Sequence, residues 1–276
     1  MASRKLSTPM SSAAGATPTD VSASMADTMS TLKTPSKFSF STVPVDKLAA
    51  IANEFTLATL VVDESSSVYD FAKDLEKCAK TVLESCATSP RSDNLLLRFL
   101  KFCGKVEEVH GFRPLAEINS DEYTGKINPS GSTALFDAVT NAVEASEVLG
   151  ENLVNQEFTA NAVIFVLTDG EDNMSRTTPN SIRKALDRIA KAEKLESVAV
   201  ILIQVGTKDA GVKAALDRFA TEAKLTQLID LTDLFASAKP GKALAKLAGF
   251  ITRSISSTST ALASGSSTAA SSKLTI

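Results

Sequence analysis

Apolar residues recur along the chain at two spacings. Residues 57–62, 94–102, 162–167, 198–205 and 228–231 are nearly continuous apolar runs, the pattern of strands buried on both faces. Residues 106–112 follow the second run after only Cys103, Gly104 and Lys105, which predicts a hairpin partner. Between the runs, apolar positions recur every three or four residues, as on the buried stripe of a helix. Phe71, Leu75, Cys78, Val82 and Cys86 mark one helix over 68–86, and Leu135, Val139, Val143 and Leu149 mark another over 135–149. Thr178 and Pro179 open a third that runs to Lys194 with Ile182, Leu186 and Ile189 on one side. Residues 210–223 and 243–251 complete the set. Two weaker signals precede the first run. Phe38 and Phe40 alternate with polar neighbours as in a short edge strand, and Asp46 can cap a short helix whose Leu48, Ile51 and Phe55 share a face.

Strands and helices thus alternate, and the strands lack a polar face. Such a pattern predicts a doubly wound α/β fold, a mostly parallel sheet covered by helices on both sides. In that architecture ligands bind beyond the carboxyl ends of the strands, so the residues just after each run are where chemistry is expected.

Composition divides the 276 residues into a middle and two ends. Of 60 serines and threonines, 30 lie in residues 1–42 and 253–276. Those segments are poor in large apolar side chains and read as tails, leaving 43–252 as one domain. A single histidine, His110, rules out a multi-histidine metal site. Cys78, Cys86 and Cys103 have neither C-x-x-C spacing nor a disulfide framework and read as reduced structural thiols in a cytoplasmic setting. The formal net charge is -3 with no basic block, which argues against nucleic acid as a partner. No stretch approaches the roughly 18 apolar residues of a membrane span, and no apolar signal region follows Arg4 and Lys5, so a soluble, unprocessed chain is expected and membrane binding is not.

Three loops at strand ends supply hard oxygen atoms: Asp63-Glu64-Ser65-Ser66-Ser67, Gly131-Ser132-Thr133 and Thr168-Asp169-Gly170-Glu171-Asp172. Carboxylates and hydroxyls without imidazole or thiolate favour Mg²⁺, Mn²⁺ or Ca²⁺ over zinc or copper. Where a strand turns into a helix, positions 63, 65 and 67 can converge on one point while 64 and 66 point elsewhere. A cation held by hydroxyls and one or two carboxylates stays under-neutralised and accepts a carboxylate from outside.

These residues resemble a known family. D-x-S-x-S after a buried strand, G-S-T-A-L-F-D-A opening a helix and T-D-G after the central strand look like the metal-ion-dependent adhesion site of a von Willebrand factor type A domain, over about residues 56–252. The resemblance implies that Asp63, Ser65, Ser67, Thr133 and Asp169 are the metal positions, that Mg²⁺ or Mn²⁺ is the cofactor, and that the open coordination position takes a partner's Asp or Glu. It also implies a six-stranded Rossmann-like sheet of order 3-2-1-4-5-6 with an antiparallel third strand. An intracellular bacterial or phage type is expected, with an AAA+ ATPase or neighbouring subunits of an assembly as partner. Glu64, Ser66 and Val68 depart from the small residues and Met common at those positions; Glu64, a bulky acid, could strengthen cation binding or repel an acidic ligand. With 16 aspartates and serine at about one residue in eight, D-x-S-x-S arises by chance about 0.2 times, so its place at a strand end carries the weight.

Other residues have plainer readings. Ser65 and Ser67 could cap the following helix, and Glu171 with Asp172 reads as a solvated acidic loop. Asp137 reads as a structural group, capping or hydrogen-bonded within its helix, rather than a metal ligand, His110 as an ordinary strand residue, and the basic run 239–253 as a helix packed on the sheet. The expected function is a non-enzymatic interaction module. The alternative is a structural or assembly component that uses its tails as contact arms. A metal-dependent phosphatase with Asp63 as nucleophile is disfavoured, because position 65 is Ser where a D-x-D enzyme needs a second acid.

Overall fold

A computed structural model describes residues 29–206, 208–233 and 240–263. Its strands are β1 (Ser30–Lys33), β2 (Ser39–Thr42), β3 (Glu54–Asp63), β4 (Leu95–Phe102), β5 (Val106–Pro114), β6 (Thr159–Thr168), β7 (Val198–Gln204) and β8 (Gln227–Asp230). Its helices are α1 (Val45–Leu48), α2 (Ala72–Ala87), α3 (Leu135–Val154), α4 (Pro179–Ala192), α5 (Ala210–Ala223) and α6 (Pro240–Ala263). The strands form one sheet in the order β1-β2-β5-β4-β3-β6-β7-β8. The parallel strands β4, β3, β6, β7 and β8, with β5 antiparallel to β4, reproduce the expected 3-2-1-4-5-6 core.

Side-chain alternation along β3 divides the core in two. Leu57 and Val61 face α3, α4 and α5 with Val139, Val143, Ile182, Leu216 and Phe219, whereas Ala58, Leu60 and Val62 face α2 and α6 with Leu75, Val82, Leu247 and Ile251. Cys78 and Cys86 lie in the second core, where burial pushes their thiols up to about 12 and about 11. All three cysteines are buried and free. Phe250 of α6 meets Phe165 of β6 edge to face at 6.3 Å, so the end of the basic run packs on the sheet. Among the described residues no helix is long and apolar enough to cross a membrane.

The sheet has eight strands rather than six. The hairpin β1–β2 joins the β5 edge through one parallel pair, Thr42 with Phe112. Phe40 is buried, with its ring edge to face with Phe112 at 6.4 Å. Two carboxylates from distant elements complete the attachment: Glu108 accepts from the Ser41 amide at 3.0 Å, and Glu144 accepts from the amide and hydroxyl of Ser36 at 2.9 Å. A Cβ at Gly111 would sit 2.0 Å from the Ser41 carbonyl oxygen, so the close approach of the hairpin requires glycine there.

The boundaries drawn from hydroxyl content therefore move. The described strands begin at residue 30, within the stretch 1–42 assigned to a tail, and α6 continues to Ala263, past residue 252. The reason is that serine and threonine can be interior residues of an element once their hydroxyls find carbonyls or side chains. Ser254 and Ser259 are buried, and Ser259 accepts from Arg91 Nε at 2.9 Å. Residues 1–28 and 264–276 lie outside the described residues, and with them the rest of both expected tails.

Three local expectations are corrected. The helix expected from Val68 starts as a 3-10 turn over Ser66–Phe71 and becomes α-helical at Ala72. The short helix near Asp46 has Pro44 at its cap position, and Phe55 belongs to β3. The helix from 135 runs to Val154 rather than Leu149.

Candidate functional site

Asp63 ends β3, next to the end of β6, and its side chain is buried and held at both oxygens. Oδ1 accepts from the Ser65 amide at 2.7 Å, and Oδ2 accepts from the Thr168 hydroxyl at 2.6 Å. The first bond turns the chain back on itself as it leaves the strand, which brings the serines round to the same point. Ser65 Oγ lies 3.0 Å from Ser67 Oγ, and Ser67 donates to Asp169 Oδ1 at 2.7 Å. Ser65 occupies the cap position of the 3-10 turn but makes no side-chain cap bond, so the plain capping reading does not describe it.

Thr133 joins this group from the third loop. Its amide donates to Asn173 Oδ1 at 2.8 Å and its carbonyl accepts from the Asn173 amide at 3.0 Å, a reciprocal pair that ties the start of α3 to the loop after β6. A Cβ at Gly170 would stand 3.8 Å from Thr133 Oγ1, which puts that hydroxyl beside the residue following Asp169. The three loops thus converge, with Asp63, Ser65, Ser67 and Asp169 linked in a chain of polar contacts and Thr133 next to them.

Electrostatics follow from that enclosure. Burial pushes the Asp63 carboxyl up to about 6; its hydrogen bonds to Thr168 and Ser65 oppose the rise and the nearby Asp169 charge adds to it. Asp169 is also raised by burial, against the Ser67 hydrogen bond. Two close carboxylates whose charge is disfavoured by desolvation are what a hard cation relieves. Among the described residues no group of three or more His, Cys, Asp or Glu is placed to hold a metal, so a cation here would depend on hydroxyl oxygens as well as acids. Oxygen donors of this kind fit Mg²⁺ or Mn²⁺.

Positions 64 and 66 point elsewhere. Ser66 donates to the Gly131 carbonyl at 3.2 Å. The Glu64 carboxylate is buried, paired with Lys101 at 3.1 Å, and accepts from the Asn128 amide at 3.1 Å. Its charge is spent on positioning the loop that carries Gly131 and Thr133, so it neither adds a ligand nor faces an incoming acid.

Asp137 is structural, as expected, but its partners lie outside its helix. Its Oδ1 accepts from the amides of Arg176 and Thr177 at 3.1 and 2.8 Å and from the Thr177 hydroxyl at 2.7 Å. Asp172 is not simply solvated, because its Oδ1 accepts from the Phe136 amide at 3.2 Å and from Ser175, capping α3 from across the site. Glu171 is exposed. His110 is buried on β5, with Nδ1 2.8 Å from the Gly111 carbonyl and Nε2 2.8 Å from the Tyr123 hydroxyl.

Several residues at the site were not singled out from sequence. Thr168 sits in T-D-G, and a threonine ending a strand before an acid was the available signal. Asn173 gave none. Tyr69 and Met174 are two of the three exposed large apolar side chains among the described residues, 76% and 58% accessible, and both lie on loops that carry the converging oxygens. For Tyr69 the signal was an aromatic residue off the buried stripe of its helix. Behind the site Gly206 adopts φ +77, and a Cβ there would press on the Phe71 ring at 2.7 Å.

The sequence profile of the von Willebrand factor type A domain matches residues 59–239, a span that holds both acid loops, β4 to β8 whole and the second half of β3. The chain belongs to the von Willebrand factor type A domain family. No curated protein matches it in sequence. Among solved structures it is similar to the PilB minor pilin from Streptococcus sanguinis, with TM-score 0.52 and 16% identity over 74% of this chain and 62% of the pilin. A mutant of the same pilin gives TM-score 0.51 over 73% and 61%. The chain therefore spans about three-fifths of the length of these pilin structures. Proximal thread matrix protein 1 from the mussel byssus, with a zinc occupied MIDAS motif, gives TM-score 0.44 and 19% identity over 71% of this chain and 46% of that one.

Type A domains are generally non-catalytic modules that bind protein partners, and the adhesion site of the family binds divalent cations. The expected intracellular bacterial or phage type, and with it the cytoplasmic setting, gains no support from these matches.

Proposed function

We propose that the chain is a non-enzymatic interaction module that holds Mg²⁺ or Mn²⁺ at Asp63, Ser65, Ser67, Thr133 and Asp169 and binds an Asp or Glu side chain of a protein partner through that cation. The observation that supports it is the convergence of two buried acids and three hydroxyls from three loops at the carboxyl edge of the sheet. A bound divalent cation supplies Lewis acidity and an exchangeable position for a carboxylate; the chain's own residues set its place and leave its charge only partly neutralised. Asp63 and Asp169 supply the negative charge, and Thr168 and the Ser65 amide fix the Asp63 oxygens. Serine at position 65 gives no second acid for a phosphatase. Tyr69 and Met174 give the surrounding face apolar contact area of the kind enriched at protein interfaces.

The test is partner capture on immobilised protein in Mg²⁺, in EDTA and with Asp63→Ala, alongside calorimetric titration with Mg²⁺ and Mn²⁺. Cation binding in the unaltered chain, and capture lost in both EDTA and the variant, are expected. Capture indifferent to chelator and to the substitution defeats the reading.

A further inference from the structure

A cavity of about 270 Å³ opens between the start of α3, the start of α4 and the middle of α5. Leu135 and Phe136 line it from α3, and Leu216 and Phe219 line it from α5. The rings of Phe136 and Phe219 lie 4.7 Å apart, tilted by 41°. Charged side chains also line it: Glu171 and Asp172 from the loop after β6, and Arg218 and Glu222 from α5. Asp172 already accepts from the Phe136 amide of α3. Glu171, Arg218 and Glu222 are exposed, and among the described residues none of them makes an ion pair, although Arg218 and Glu222 stand four apart on one helix.

The lining therefore combines apolar and aromatic walls with three acids against one base. A leucine or phenylalanine entering it would draw water from unpaired carboxylates without replacing their partners. An acidic side chain would meet the wrong sign of charge. A lysine or arginine side chain meets both requirements, because its stem packs on apolar walls while its head group reaches carboxylates and an aromatic face. The cavity also adjoins the cation site along two segments of chain, since Leu135 is two residues from Thr133 and Glu171 two residues from Asp169.

We infer that this cavity is a second subsite of the partner-binding face and takes a lysine or arginine side chain, so that the recognised segment carries a basic residue near the acidic one that meets the cation. The acidic half rests on the proposed cation site; the basic half stands on the cavity.

The test is an NMR titration of the full chain with labelled phenylalanine, in Mg²⁺ and in EDTA, using N-acetyl-arginine amide, N-acetyl-norleucine amide and N-acetyl-glutamate amide as probes. The arginine probe is expected to shift the Phe136 and Phe219 ring signals saturably in both buffers. Affinity should fall at least tenfold in Glu171→Gln/Glu222→Gln, whose exposed positions leave the fold intact. Equal response to norleucine or glutamate, no saturable response to arginine, or an undiminished response in the double variant overturns the inference. Arginine binding without Mg²⁺ binding in the same sample refutes the cation site alone, and Mg²⁺ binding without an arginine response refutes the cavity alone.

Discussion

The Thr168 hydroxyl donates to Asp63 Oδ2 across 2.6 Å, linking the last residues of the two central strands. That bond fixes one carboxylate oxygen so that the other, held by the Ser65 amide, directs the loop. Thr168→Val keeps the shape of the side chain and removes the donor. Mg²⁺ affinity is expected to fall roughly 10- to 100-fold, as for other groups that orient a metal ligand. Isothermal calorimetry measures this, and an unchanged affinity contradicts the positioning role. Because burial puts the Asp63 carboxyl near 6, Mg²⁺ binding should also weaken as pH falls below that value, since the proton and the cation compete for the same oxygens.

Tyr69 and Met174 flank the site without entering the polar chain. Tyr69→Ala and Met174→Ala should each weaken partner capture about tenfold, a loss of roughly 1.4 kcal/mol typical of an interface side chain, while leaving Mg²⁺ affinity unchanged. Surface plasmon resonance with the captured partner, paired with a Mg²⁺ titration, separates the two effects. Capture by both variants as tight as by the unaltered chain removes these residues from the binding face.

The Glu64 carboxylate is committed to Lys101 and the Asn128 amide. Glu64→Ala leaves the mostly buried Lys101 ammonium with only the longer Glu107 pair at 3.5 Å and leaves the Asn128 amide without its acceptor, so stability should drop by about 2 kcal/mol in urea denaturation. Partner affinity should not improve and cation affinity should not fall, against both alternatives read from the sequence, that this acid repels an acidic ligand or strengthens cation binding. An increase in affinity with no loss of stability would show that the charge faces the site after all.

How far the chain could be read depends on the range of the interactions involved. β3 and β6 are buried along almost their whole length, so their apolar runs announced them, and Asp63 and Asp169 stood out because each marks an abrupt end to such a run. The D-x-S-x-S spacing was legible because a single local bond, from the Ser65 amide to Asp63, produces the convergence. That position 64 points away followed from the same spacing, but its partners did not, because Lys101 and Asn128 are 37 and 64 residues away. Asp172 looked like a solvated acid for the same reason, as its partner Phe136 lies 36 residues earlier. Of the β1–β2 hairpin, the alternation around Phe38 and Phe40 announced β2, whereas β1 escaped because Ser30–Lys33 has no fully buried position and is placed by its pairing with β2.

Burial holds the His110 imidazole down to about 4; its hydrogen bond to the Gly111 carbonyl opposes the shift, and the charges of Arg113 and Arg98 reinforce it. A carbonyl can only accept, so Nδ1 carries the proton and Nε2 accepts from Tyr123. The folded form thus stays neutral where the unfolded chain, at 6.5, takes up a proton. Its contribution is fully present above 6.5 and is lost as pH falls towards 4, by roughly 3 kcal/mol. Urea denaturation of the unaltered chain and of His110→Asn across this range should show their stability difference shrinking with acid. A difference independent of pH contradicts the neutral buried imidazole.

Arg98 is fully buried on β4, paired with Glu108 at 2.7 Å and donating to Asn141 Oδ1 at 2.8 Å, with its guanidinium 5.6 Å from the ring centres of both Phe40 and Phe112. Glu108, half-buried, in turn accepts from Ser41, so one charge pair connects the sheet interior to the β1–β2 hairpin. Gly111→Ala tests that connection without touching a charge. The added Cβ collides with the Ser41 backbone, which must move away and take the Glu108 contact and the Phe40 ring with it. Limited proteolysis should then cut within residues 30–42 at least tenfold faster than in the unaltered chain. Mg²⁺ affinity should stay the same, because the hairpin lies at the far edge of the sheet from β6 and contributes no oxygen to the site. If the cation affinity fell together with the protection, the hairpin would have to be counted among the supports of the site rather than as a separate attachment.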